Sequence, residues 1–244
     1  MPSAPKNTAA AGLDLSRTLT FFFEDPNWVQ KLLVGSLFAL LSPILVGTVF
    51  IAGYAVALAR NTMRGATPLL PEWDDLQAIF IDGLKGVAIS LAHKLPVLIL
   101  IFMTCLALFG GIFLHRGGRT LPEEFLYFGL PALLAGWLVV FVLSFAILVY
   151  VPAAFVRFVR TNRLGAAFDV MENIAFIRDN SAAYLTALLA ILLASFIAQF
   201  GFIVLCIGIF PAMFWSACVM GYVIGELARL AGGESADEGE GEEA

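Results

Sequence analysis

LLSPILVG (40–47) sets a proline inside an apolar run, and the stretch it opens, PILVGTVFIAGYAVALAR (43–60), returns near the other end of the chain as PAMFWSACVMGYVIGELAR (211–229). Both copies carry a proline, then a Gly-Tyr pair, then a closing Ala-Arg. The run before Pro211, residues 183–206, is long enough to cross a bilayer alone, so Pro211 reads as the opening of a new helix. A missing N–H costs nothing there. Pro43 by analogy starts a helix rather than kinking one, which makes residues 29–41 and 43–60 two arms of a hairpin. Pro131, near the start of the run at 125–151, marks a weaker third copy, and the expected plan is three hairpins.

Working outward, apolar runs occur at 29–41, 43–60, 96–114, 125–151, 183–206 and 209–229. The last four suffice for ~30 Å of hydrocarbon at ~1.5 Å per residue. The first is short and reads as a re-entrant arm. Hydrophobic residues make up 60% of the chain, charged residues 14%, and the mean hydropathy is +0.91. Soluble domains do not have this balance. In lipid every backbone polar group must be satisfied within the chain, which points to an all-α membrane protein of about six hydrophobic helical segments.

Charge orients it. With residues 29–60 as a hairpin, Lys6, Arg17, Lys31, Arg60, Arg64, Lys85, Lys94, Arg157, Arg160, Arg163, Arg178 and Arg229 fall on one side and only Arg116 and Arg119 on the other. A single span in place of the hairpin would even out that distribution. The positive-inside tendency prefers the larger asymmetry, so both termini are expected in the cytoplasm of a cell-membrane protein.

Each hairpin is preceded by a segment too polar to cross: residues 13–24, 73–94 and 165–179. Their mixed apolar and charged spacing predicts interleaved interfacial amphipathic helices, with Trp28 and Trp73 as aromatic anchors. Residues 1–12 read as a flexible leader, 13–231 as a single multi-pass membrane domain, and 232–244 as a disordered acidic tail. That tail holds six acids and no base, more than the whole net charge of −5.

FEDPNW (23–28), LPEWDDLQAIFIDGLKG (70–86) and AFDVMENIAFIRDN (167–180), each just ahead of a hydrophobic block, resemble the prokaryotic, often archaeal, membrane proteins of domain-of-unknown-function family 4013. The resemblance covers about residues 20–230. It implies a multi-pass membrane protein and carries no activity, substrate or catalytic residue.

Chemistry is sparse. Glu72, Asp74, Asp75 and Asp82 form the densest carboxylate group outside the tail, read as the wetted face of an interfacial helix with Asp82 and Lys85 pairing. His93 and His115 are assigned to opposite sides, and Cys105, Cys206 and Cys218 lie in apolar runs without metal-type spacing. No catalytic residue, cofactor or metal is therefore expected, and no nucleic-acid partner. Gly53 and Ala57, matched by Gly221 and Gly225, are small-residue steps that let two helices approach closely, within one chain rather than between chains.

The expected role is a non-enzymatic membrane protein organising lipid, a protein partner or a second copy through its cytoplasmic-leaflet helices. A transporter or channel for a small solute is the other reading, and would line a mid-depth cavity with Thr104, Ser195 and Gln199. An enzyme would need Asp75, Asp82 and His93 to converge.

Overall fold

The computed structural model describes residues 13–114, 125–202 and 208–241. The leader with Lys6, then His115, Arg116, Arg119, Cys206 and the last residues of the acidic segment lie outside them. Every regular element among the described residues is helical. In chain order they are α1 (Leu15–Thr20), a 3-10 turn (Phe21–Glu24), α2 (Trp28–Leu40), a 3-10 turn (Ser42–Ile44), α3 (Val46–Arg64) and α4 (Leu76–Leu114). A π turn (Phe125–Gly129) then leads into α5 (Leu130–Thr161), followed by a 3-10 turn (Leu164–Phe168), α6 (Val170–Asp179), α7 (Ser181–Phe200) and α8 (Ile209–Gly241). Four of these are long and apolar enough to cross a membrane: Leu76–Gly110, Tyr127–Thr161, Ser181–Phe200 and Ile209–Gly232. This is the build of a membrane protein.

The break at Pro43 has a local cause. α2 stops at Leu40, Pro43 sits in the following 3-10 turn, and Leu45 takes a left-handed φ of 66° before α3 begins at Val46. Gly47 fits because a side chain there would strike the Phe38 carbonyl. Helix α3 thus begins three residues after the proline rather than at it. Pro211, by contrast, lies in the first turn of α8, and Pro131 is the second residue of α5. At the other end of α3, Gly65 adopts φ 65° and its N–H bonds the Thr62 carbonyl, a left-handed helix stop.

Two expectations about segment boundaries are corrected. Residues 73–94 do not form a separate flat helix, because α4 runs unbroken through Pro96 and joins them to the apolar run at 96–114. At 39 residues it is about 58 Å long. α5 likewise continues through Pro152 into the arginine-bearing stretch that ends at Thr161. A proline removes one hydrogen bond and bends a helix, and no capping residue or glycine stands beside either proline to end it. α1 with its 3-10 turn covers the first expected interfacial segment, yet Phe21 and Phe22 are fully buried. The backbone of α8 continues helical into the acidic segment.

The chain forms two compact units. Residues 90–151 make one: there a Cβ on Gly136 would meet Thr104 at 3.4 Å, the His93 and Tyr150 rings lie 5.2 Å apart, and Val97 and Val140 are buried. Many of its large apolar side chains, Phe102, Phe109 and Phe141 among them, are exposed, as lipid-facing groups are.

The remainder makes the other unit, with α3 at its centre. Tyr54, Val56, Leu58, Ala59 and Thr62 of α3 are all buried. α8 lies along it, with Gly221 and Gly225 each placing a notional Cβ 2.5 Å from the Ala55 and Ala59 carbonyl oxygens. Only glycine allows backbones that close. Gly53 is turned elsewhere, onto the Ile79 carbonyl of α4, while Gly83 of α4 meets the Val49 carbonyl in return. Ala57 is half-buried.

Candidate functional site

Three polar clusters among the described residues of the α3-centred unit tie separate elements together. The first is built around Lys31, in the first turn of α2. Its side chain is fully buried, and Nζ donates to Asp25 Oδ2 at 2.8 Å and to the Leu70 carbonyl at 3.0 Å, and pairs with Glu72 Oε1 at 2.6 Å. An ammonium has three donors, and here each has an acceptor. Asp25 is held in turn by the Asn27 N–H on its other oxygen at 2.7 Å, the turn that leads into α2. FEDPNW and LPEW, far apart in sequence, therefore close on one lysine.

The same loop is pinned by aromatics. The Tyr54 hydroxyl donates to the Pro71 carbonyl at 2.9 Å. Trp73 stacks on Tyr54 and Phe38 with ring centroids 4.5 and 5.1 Å apart, and Phe214 of α8 lies 5.9 Å away. Trp73 is thus a half-buried packing residue, not the free interfacial anchor that its setting suggested. Trp28 packs edge-on against Phe23.

Burial opposes the charge on Lys31, but the hydrogen bonds it donates to Asp25 and Glu72 and their negative charges outweigh it, so its pKa lies above the ordinary lysine value. A raised lysine pKa stabilises the fold fully below the unfolded value of ~10.4, and the gain disappears as pH rises through the higher folded value. Thermal unfolding in detergent is expected to hold steady from neutral pH to about 10 and to fall above it. Lys31→Met should remove that lysine's share of the alkaline fall. A variant that falls just as steeply would assign the pH dependence to other groups.

The second place is Arg60, near the end of α3. Its Nη1 and Nη2 grip the two oxygens of Asp82 on α4, and Nη2 also donates to Asn162 Oδ1 at 2.9 Å. Its guanidinium also lies 5.7 Å from the Phe158 ring centre, and Lys85 reaches Asp82 at 3.3 Å. Asn162 has φ 54°, a left-handed conformation in which asparagine is enriched. The third place joins α5 to α6 and α7. Arg157 pairs with Glu172, Asp169 caps α6 by accepting the Glu172 N–H, and the Tyr184 hydroxyl accepts the Ala153 N–H at 3.0 Å, just after Pro152.

The four carboxylates read from sequence as one cluster are used separately. Glu72 serves Lys31, Asp75 accepts the Ala78 N–H at the start of α4, Asp82 serves Arg60 and Lys85, and Asp74 is exposed. His93 packs near Tyr150. Among the described residues no three His, Cys, Asp or Glu side chains come together in a way that could hold a metal.

An apolar cleft of about 470 Å³ opens between Leu19, Phe23, Leu32, Ile197, Pro211, Ala212 and Trp215. Trp215 Nε1 has no hydrogen-bond partner among the described residues. Thr104 returns its hydroxyl to the Leu100 carbonyl, Ser195 and Gln199 are exposed, and none of the three lines this cleft.

With the apolar helices and the motif-borne contacts in view, the comparison with known families is decisive for kinship. A family model described as "Protein of unknown function (DUF4013)" matches residues 36–207, well over half of the chain. This chain belongs to the DUF4013 family. No curated protein and no solved structure matches it. The DUF4013 match includes Glu72 and Arg60 but begins after Asp25 and Lys31, so the lysine clamp joins matched residues to unmatched ones. From sequence Lys31 reads only as a charge on one side. The unusual density of acid, proline and tryptophan in EDPNW and LPEW was the available signal.

Proposed function

We propose that this DUF4013 protein is a non-enzymatic, multi-pass protein of the cell membrane that organises lipid or a partner through amphipathic segments at the cytoplasmic leaflet. The observation that carries this reading is how its charges are used. Lys31 with Asp25, Arg60 with Asp82 and Arg157 with Glu172 are paired off within the chain, whereas an apolar arc of α6 stays exposed beside arginines. The molecule offers a patterned surface in place of a polar pocket.

In this reading the helices form three hairpins and both termini are cytoplasmic. Residue pairing supports it. Phe38 stacks on Phe50, and the return loop meets Lys31 then Phe38 on α2 but Asn61 then Tyr54 on α3, so the two arms run antiparallel. In the second hairpin, His93 with Tyr150 and Thr104 with Gly136 make the same antiparallel match.

Purified protein reconstituted into liposomes is expected to change vesicle size and curvature, and reporters fused to the two termini are expected to respond in the cytoplasm. Unaltered liposomes together with no crosslinked neighbour in cells would remove the organising role. Reporters responding on opposite faces would remove the three-hairpin topology.

A further inference from the structure

We infer that the corner between α5 and α6 is a docking surface for anionic phospholipid headgroups, with Arg160 and Arg163 as the charged contacts. The candidate span Tyr127–Thr161 ends at this corner, with Arg160 in its last turn and Arg163 just beyond it, the flank where positive charge gathers on a membrane helix. Both are exposed, and neither makes an ion pair among the described residues. Arg157, one turn earlier, is already taken by Glu172.

Beside them lies an apolar arc. Leu164, Val170, Met171 and Ile174 are 41%, 53%, 79% and 51% exposed. Positions 170, 171 and 174 share one side of α6, while Asn173 and Phe176 on the other side are buried. α6 cannot roll to hide that arc. The Arg157–Glu172 pair, the Asp169 cap and the bond from the Asn173 amide to the Ala167 carbonyl at 3.1 Å hold its rotation. Arg60 fixes Asn162, between the two arginines, from α3.

An exposed apolar arc edged by unpaired arginines at the end of a span matches a leaflet whose headgroups are negative and whose acyl chains begin just below. The inference rests on the membrane setting of the proposed function but not on its organising role. A curvature effect equal in neutral and anionic vesicles would leave that role standing and remove this surface.

The test uses the full chain in nanodiscs of mixed phosphatidylglycerol and phosphatidylcholine, with bound lipid identified by native mass spectrometry. Phosphatidylglycerol should be retained preferentially, by roughly fivefold per arginine and on the order of 30-fold for the pair. Arg160→Gln with Arg163→Gln should return the ratio to that of the nanodisc, and Arg64→Gln should leave it enriched. Equal retention of both lipids, or enrichment that survives the double variant, overturns the proposal. A nitroxide on Met171→Cys in otherwise unaltered arginine background gives a second reading that does not depend on the double variant folding. It should be relaxed by lipid-soluble oxygen more than by an aqueous nickel chelate. Relaxation mainly by the chelate, or shielding from both as under a bound protein, also overturns it.

Discussion

Replacing Lys31 by methionine is expected to cost about 3–5 kcal/mol of stability, among the largest effects of any single substitution in the chain. The reason is what remains behind. Asp25 has a side chain only 4% exposed, and without the ammonium it keeps a buried charge whose remaining hydrogen bond, among the described residues, is from the Asn27 N–H. Removing both charges in the double variant Lys31→Met, Asp25→Asn should recover part of the loss, because paired buried charges contribute little net stability once both are absent. Glu72→Gln should cost much less, about 1 kcal/mol or below, since the Glu72 side chain is 52% exposed and water can replace the lysine. Unfolding of the detergent-solubilised protein measures all three. Equal losses for Lys31→Met and Glu72→Gln would contradict the assignment of the clamp's energy to burial.

The second large effect is expected at the crossing of α3 and α4. Gly53→Ala and Gly83→Ala each drive a methyl into a carbonyl of the facing helix, Ile79 in one case and Val49 in the other. Backbone cannot rotate away as a side chain can, so each should cost about 3 kcal/mol, the upper end for overpacking. Combined, the two should cost less than their sum, because the first substitution already parts the helices that the second would part. Gly110→Ala is the control: nothing lies within 4 Å of the added carbon, and alanine should be neutral or better by about 0.5–1 kcal/mol in a helix. Additive losses at 53 and 83 would mean that the two glycines serve independent contacts.

Those two sites differ in how far sequence could reveal them. Gly53 drew notice because it repeats with Gly221, and a small residue in an apolar helix signals close approach whatever the partner. Which helix approaches was not encoded in the repeat: Gly221 meets α3, whereas Gly53 meets α4. Lys31 drew no notice as a site, since its three acceptors come from two motifs on either side of α2 and α3. Hydrophobic length was legible for the same reason that it is decisive, namely that crossing hydrocarbon demands it. Helix ends were less so. A change from apolar to charged residues alters which solvent a helix faces without ending it, and α4 and α5 pass through such changes, and through a proline each, intact.

The burial of α3 also constrains how the protein is made. α3 is not among the four helices apolar enough to cross a membrane by their own composition, and the small-residue face that Ala55 and Ala59 present is covered by α8, which is synthesised well after it. A ribosome therefore releases α3 long before its cover exists, and a chain truncated ahead of residue 209 would leave that face open to quality-control proteases. Until α8 emerges the centre of this fold stands uncovered, so its half-made forms are the ones a cell must guard.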